Sequence, residues 1–594
     1  MKNQFILSSF LLCVFIGCDS QPTNTTTIAK NSELVDPSVT EFHNLGWLGI
    51  RCYPMTANLS FADPDDVDAS VSPGGLIVTT VVPETPAAKA GFKKDDVIVG
   101  VEDKWMPIKD DPTLDVLAQL ETRVTSAETK STLKVYRDGE LVELTIENVA
   151  DPLDDGLPNE VIRFTTLAKQ GVNHLSTLQN SDGSFGAENV SLDSKLQITA
   201  MAGLALLSVE DKQYQPAIDN CKQFIAAQLD QMASTPKEPE SDDENKSTEE
   251  SQPSKMVQMT TMQMPTLEIE PLTAAYIAQF LSESNVSMMD QNWMGRLIGI
   301  VGALNQTQSE SGGWNVADDF EDGSVDIAGT FTSNQCLLAI GMLERMGVSS
   351  NSESIKKACE FLKTQLIARA GSSVDRRIKA GLTAGTGAAL FAINCDPSDT
   401  ILEQTITDGL ELVREMHMSP SLNLPGLLSV ATLARQAGDG KWVQFHEEAK
   451  LYLSAAASPD GQFFTTPGSN RKALEFEIHS DDPAWQAAHY CLLLSMQSSQ
   501  LKSLTAQKKS PMMVARNSAG EASKGGPARP GIPAGMPVNG KTMSTFTLDN
   551  LSGEGSLEDQ IKEKLKEMGV DTSNIQMNSI PGQGDSSKKK KQAP

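Results

Sequence analysis

Hydrophobic positions along this chain fall into four regimes. Residues 5–16 form an unbroken apolar run, and residues 46–146 carry short β-branched stretches between turn residues. Residues 160–498 repeat at helical spacing, and beyond residue 500 the pattern nearly vanishes. In the second regime Gly74-Gly75 leads into Leu76–Val82, which reads as a strand, and Val97–Val101 reads as another. Between them Pro86–Ala90 has the form of one helical turn, opened by a proline and stopped by Gly91. Asp138-Gly139 supplies the turn of a closing hairpin spanning 135–146. In the third regime the period predicts twelve helices: 160–179, 195–208, 214–231, 271–283, 292–308, 330–347, 353–369, 379–393, 401–417, 426–437, 441–457 and 483–498. Alternate members differ in character. Ala200–Leu207 and Gly381–Ile393 are almost wholly apolar or small, whereas the 353–369 segment carries Lys356, Lys357, Glu360 and Lys363. Six pairs, with apolar helices inside and charged ones outside, make a double ring.

The helical region also repeats its punctuation. Leu175, Gln179, Gly183 and Phe185 stand at the same offsets as Leu304, Gln308, Gly312 and Trp314, and again as Leu453, Ala457, Gly461 and Phe463. Weaker echoes stand at Phe224/Gln228, Phe361/Gln365 and Leu412/Met416. The longest interval between marks contains an insert at 232–264, as expected of repeats that tolerate loops on one face.

Two resemblances follow from these residues. The stretch from Val82-Pro83 through Pro86-Ala87, Ala90-Gly91 and Asp96-Val97-Ile98, with Gly46-Trp47-Leu48-Gly49-Ile50 before it, resembles a bacterial PDZ domain, here residues 43–150. The resemblance implies capture of C-termini or extended peptides as an added strand, with Leu48, Gly49 and Ile50 holding the terminal carboxylate. Leu114, Leu117 and Leu120 would line the pocket for the last side chain. The other reading of the same module is a fold used for packing within the chain. The Gln…Gly…aromatic marks resemble the QW repeat of squalene and terpenoid cyclases, which implies an (α/α)6 toroid over 158–500 and a structural role for the motif itself. The fold class is therefore multidomain: a small, mostly β PDZ-like domain, an all-α toroid, a disordered insert and a disordered tail.

Lys2 followed by Phe5–Ile16 suits an export signal, being too short to span a bilayer. Val14-Phe15-Ile16-Gly17-Cys18 resembles the lipobox of bacterial lipoproteins, with Phe15 where Leu is usual, so residues 1–18 are expected to be removed or lipidated at Cys18. Residues 19–42 read as a tether. This places the protein on the periplasmic side of a bacterial cell envelope, held to the membrane by lipid, or secreted if Cys18 stays unmodified.

Composition narrows the class. With 594 residues, 39% hydrophobic and a net charge of −28, the chain is neither collagen-like nor wholly disordered, and its acidic surface excludes general nucleic-acid binding. Residues 501–594 hold 14 Lys+Arg and 9 Asp+Glu, so the acidity belongs to the body. The acidic stretch Lys237–Ser254 lacks aromatics and reads as disordered. In the tail, Leu557, Ile561 and Leu565 mark one short helix over 556–568, and Lys588–Lys591 is a basic run. Cys336, Cys395 and Cys491 lie in apolar segments and read as buried thiols, while an exported chain leaves room for one or two disulfides.

Catalytic signals are sparse. The cyclase D-x-D-D acid motif and the prenyltransferase zinc pattern are absent, so no metal and no cofactor is expected and enzymatic function is not favoured. The weak catalytic candidates are Asp326, His479 and Asp481, with Trp485 nearby; Asp482-Pro483 reads as a helix cap. His174, His417 and His446 fall on outer helices and read as surface residues. The function expected is peptide or protein binding, or scaffolding, at the envelope. The alternative is an enzyme acting on a lipid, isoprenoid or glycan in the toroid cavity.

Overall fold

The computed structural model describes residues 43–501 apart from 56–60, 63–69, 72, 109–111, 159, 235–266, 285–289, 317–323, 394–406, 409–423, 464–481 and 500. The N-terminal domain is an antiparallel sheet in the order β1–β2–β5–β6–β8–β9, with β7 on β6. Its strands are β1 (His43–Asn44), β2 (Ile50–Pro54), β5 (Leu76–Val81), β6 (Val97–Val101), β7 (Lys104–Trp105), β8 (Lys130–Arg137) and β9 (Glu140–Glu147). A two-strand hairpin, β3 (Phe61–Ala62) with β4 (Ser70–Val71), stands apart, and the aspartates between its strands lie outside the described residues. Helices α1 (Pro86–Ala90) and α2 (Thr113–Thr125) seal the sheet. Asp138 and Gly139 both take positive φ, the backbone of a tight right-twisting hairpin turn. Arg137 grips Asp96 through two bonds of 2.7 Å, fixing the end of β8 to the turn that enters β6.

The rest is mostly helical: α3 (Ile162–Thr177), α4 (Leu192–Ser208), α5 (Gln215–Ser234), α6 (Pro271–Glu283), α7 (Gln291–Gln306), α8 (Ile327–Met346), α9 (Ser352–Ala370), α10 (Arg376–Ala392), α11 (Leu424–Gln436), α12 (Asp439–Ala456) and α13 (Pro483–Ser495). These eleven match eleven of the expected segments to within three residues at either end; the expected 401–417 helix lies largely outside the described residues. Among the described residues α4, α6, α8, α10, α11 and α13 pack each on the next, and α13 packs back on α4, closing a ring. The nearly all-apolar sequences form this inner layer because a helix surrounded by helices has no face to leave polar. Helices α5, α7, α9 and α12 each back onto the inner helix that precedes them, and α3 backs onto α13.

The repeated turns stitch the outer layer. Gln179 donates through Nε2 to the carbonyls of Gly183 (3.1 Å) and Ala217 (2.9 Å), the latter in the next outer helix. Gln308 does the same to Gly312 (2.8 Å) and Ser354 (2.9 Å). Each turn glycine has positive φ and lies against a carbonyl of the next outer helix: Gly183 on Asn220, Gly312 on Lys357, Gly461 on Gln170. The last contact returns to α3, and Phe463 fills the space over Gly171 while stacking on Tyr490 at 5.1 Å. Gln365 departs from the pattern. Its Oε1 accepts from the backbone N–H of Asp326 (2.9 Å) and the hydroxyl of Thr330 (3.2 Å), so it anchors the start of α8.

Gln308→Ala should lower stability by about 1–3 kcal/mol by removing the bonds that tie the turn to α9, and Gly312→Ala by a similar or larger amount, because its Cβ would meet the Lys357 carbonyl in a left-handed backbone. The denaturant midpoint of the helical circular-dichroism signal measures both.

Candidate peptide groove and ring cavity

The residues expected to hold a peptide converge, but into a core. Leu48, Ile50 and Leu120 are wholly buried and Leu117 nearly so, in one cluster with Leu76, Val116 and Leu133; Leu114 packs half-buried against it. Gly49 ends a 3-10 turn, Gly46–Leu48, in the left-handed region. Two of the loop's amides are already used inside that turn: Leu48 N–H donates to the Leu45 carbonyl (3.2 Å) and Gly49 N–H to the Gly46 carbonyl (3.0 Å). The outer edge of β2 is also taken. His43 and Asn44, as β1, lie opposite Cys52 and Arg51, and Leu45 N–H donates to the Ile50 carbonyl at 2.9 Å.

Helix α12 of the ring lies over both this turn and α2. The Gly46 backbone abuts the Ser454 carbonyl so closely that no side chain fits there. Asn44 donates to the Ala456 carbonyl (3.3 Å), and Arg51 reaches Gln462 (3.2 Å) and Asp460 (3.5 Å). Ala455 and Leu451 of α12 join the sheet domain's apolar core.

A second seam is polar. Glu121 of α2 accepts from Arg163 of α3 and from the Leu153 backbone N–H, both at 2.6 Å. The guanidinium of Arg163 sits 5.7 Å over the Trp47 ring. Desolvation lowers the Arg163 pKa and the Glu121 charge opposes that shift. His446 of α12 completes the seam, its Nε2 bonded to the Leu153 carbonyl (2.7 Å) and its ring 4.9 Å from Phe164. The expectation of a surface position for His446 is therefore corrected: it is 1% exposed, because the α12 face that carries it is the face covered by Leu153 and α3. His174 is half-buried, and His417 lies outside the described residues.

A partly open pocket of about 50 Å³ in the ring is lined by residues that include Met201, Tyr276, Asn334, Thr432 and His489. At roughly 10–15 Å³ per water it has room for a few waters. Asp326 is not among the lining residues. It caps α8, its Oδ1 accepting from Gly329 N–H at 2.7 Å. His479 and Asp481 lie outside the described residues. Asp482 caps α13 through the N–H groups of Ala484 (2.9 Å) and Trp485 (3.0 Å), and Trp485 packs edge-on to Tyr276. Among the described residues no group of three His, Cys, Asp or Glu converges as a metal would need. Cys52, Cys221, Cys336, Cys359 and Cys491 are buried, and burial pushes the Cys221 thiol up to about 12; Cys395 lies outside the described residues.

Glu121 and Arg163 are not singled out by the sequence, and His446 is singled out only as a surface residue. The one available signal was a glutamate at a position in α2 where its neighbours Val116, Leu117, Leu120 and Val124 are core residues.

Residues 46–147 match the PDZ domain family. Over 114 residues the chain is 30% identical to a protein of Chlamydia pneumoniae described as a probable periplasmic serine endoprotease, DegP-like; the match covers 19% of this chain and 21% of that relative, so about a fifth of the relative's length is represented.

Removing Glu121 leaves Arg163 buried and unpaired, so Glu121→Ala should cost about 3–5 kcal/mol, read as a fall in melting midpoint. Burial lowers the His446 pKa, with the Leu153 bond, Glu447 and Asp154 opposing and Lys450 reinforcing. The folded protein thus binds the proton less well than the unfolded chain. The His446 contribution is complete above the ordinary value of about 6.5 and lost as pH falls through the lowered one. Wild type should lose stability more steeply than His446→Gln between about pH 7 and 5 in pH-resolved thermal unfolding.

Proposed function

We propose that this chain is an exported protein of the bacterial envelope, lipid-anchored at Cys18 on the periplasmic side, whose PDZ module binds peptide segments or C-termini. The observation that carries the reading is the family match over 46–147. Leu48, Gly49 and Ile50 would meet the peptide terminus, and Leu114 and Leu117 its last side chain. The helical ring, read as an (α/α)6 toroid like that of the terpenoid cyclases, serves as scaffold. Supporting this, its repeated offsets of Gln and Gly are spent on its own backbone, and Asp326 is spent on a cap.

Fluorescent peptides with a free carboxylate and an apolar last residue should bind the chain at least about tenfold more tightly than their amidated forms, equivalent to about 1.4 kcal/mol. Leu114→Glu should weaken that binding by a comparable factor. Absence of binding by both the wild type and a chain with α12 displaced from the groove would remove the peptide reading. For the anchor, Cys18→Ala should move the protein from the membrane fraction to the soluble fraction of the envelope; retention in the membrane would overturn lipidation at that residue.

A further inference from the structure

We infer that the PDZ groove is closed by the chain itself, and that peptide binding requires the sheet domain to release from helix α12. The inference rests on the peptide-binding reading above and names the regulation of that site. Three things a bound peptide needs are each occupied from within. A peptide adding to the sheet would pair with the outer edge of β2, where His43 and Asn44 already lie opposite Cys52 and Arg51. A terminal carboxylate would be held by loop amides, and those of Leu48 and Gly49 donate to Leu45 and Gly46. Space for the peptide beside α2 and the turn is filled by α12, with Ala455 8% exposed and the Ser454 carbonyl against Gly46.

The closure is held from both ends of α12. At its C-terminal end Asn44 bonds the Ala456 carbonyl, and Arg51 bonds Gln462 beyond the helix. Towards its N-terminal half, His446 holds the Leu153 carbonyl while Leu153 N–H donates to Glu121 of α2. Sheet domain and ring fall within one compact unit, as such a clasp requires. A ligand that binds only the released form sees its affinity reduced by the released fraction, so a variant that opens the clasp should bind more tightly by the reciprocal of that fraction.

The test uses the full chain as wild type, as Ala455→Glu, which sets a charge into the covered core, and as the double variant Asp460→Ala with Gln462→Ala, which removes the Arg51 contacts together with the bond from the Gln462 N–H to Asp460. Amide hydrogen exchange over 43–54 and 113–125 reads closure, and a fluorescein-labelled decapeptide ending in valine with a free carboxylate reads binding. Faster exchange in both segments in either variant, with α4, α6 and α8 unchanged, shows that the sheet domain has released from α12, as closure by this contact requires; exchange unchanged in both variants overturns closure. Peptide affinity rising at least about tenfold on release supports closure and capture together. Equal affinity in wild type and in variants whose exchange has risen overturns closure and leaves capture standing. Raised exchange with no peptide bound by any form supports closure while peptide capture falls.

Discussion

The turn at 457–463 makes two contacts at once, and the arrangement of the whole described body depends on both. Toward the ring, Gly461 lies on the Gln170 carbonyl and Phe463 fills the space above Gly171, so the last outer repeat closes on the first. Toward the sheet domain, Asp460 and Gln462 hold Arg51 while Ala455 and Ala456, one turn earlier, cover the 3-10 turn. Closing the ring therefore also sets where α12 stands, and α12 sets where the sheet domain stands. A ring of repeats bonded only to nearest neighbours has two free ends unless its last unit meets its first. Here the meeting point is also the docking site.

The seam between the domains combines an apolar patch with a buried ion pair, and the two do different work. Leu451 and Ala455 extend the sheet domain's core, a contact indifferent to small rotations. Glu121 with Arg163 is directional: one carboxylate receives a guanidinium and a backbone N–H, each at 2.6 Å. Such a pair contributes little net stability against an apolar substitute, because both charges lose water, yet it penalises any misregistered docking by several kcal/mol through an unpaired charge. His446 adds a neutral hydrogen bond to the same Leu153 peptide unit. The interface is thus specific in position.

Much of the fold was legible because it rests on local periodicity. Helices announced themselves at 3.6-residue spacing, and the turns announced themselves by fixed offsets whose Gln and Gly act within four residues of each other. The interface was not legible for the converse reason. His446 and Leu153 are 293 residues apart, and Arg51 and Gln462 are 411 apart, so no window along the sequence brings them together. Helix α12 carries Lys441, Glu447, Glu448 and Lys450, a charged pattern that fits solvent on one face and says nothing of what covers the other. The groove residues were expected from their type and from the glycines beside them, yet whether their amides face outward depends on the 3-10 turn, which glycine at 46 and 49 permits without dictating.

The third copy of the repeated turn differs from the first two in the residue that matters most. Gln179 and Gln308 each tie their own turn to the next outer helix with two hydrogen bonds. The equivalent residue is Ala457, buried and bridged to Phe463, which has no side-chain amide to offer. An alanine there leaves the closing contact to shape alone: glycine against carbonyl and phenyl ring over glycine. The polar side chains of this turn sit instead at 460 and 462 and reach Arg51 of the sheet domain. The same backbone turn therefore carries its hydrogen bonds into the ring in two copies and out of the ring in the third. That exchange ties a repeat whose motif is structural to the sheet domain.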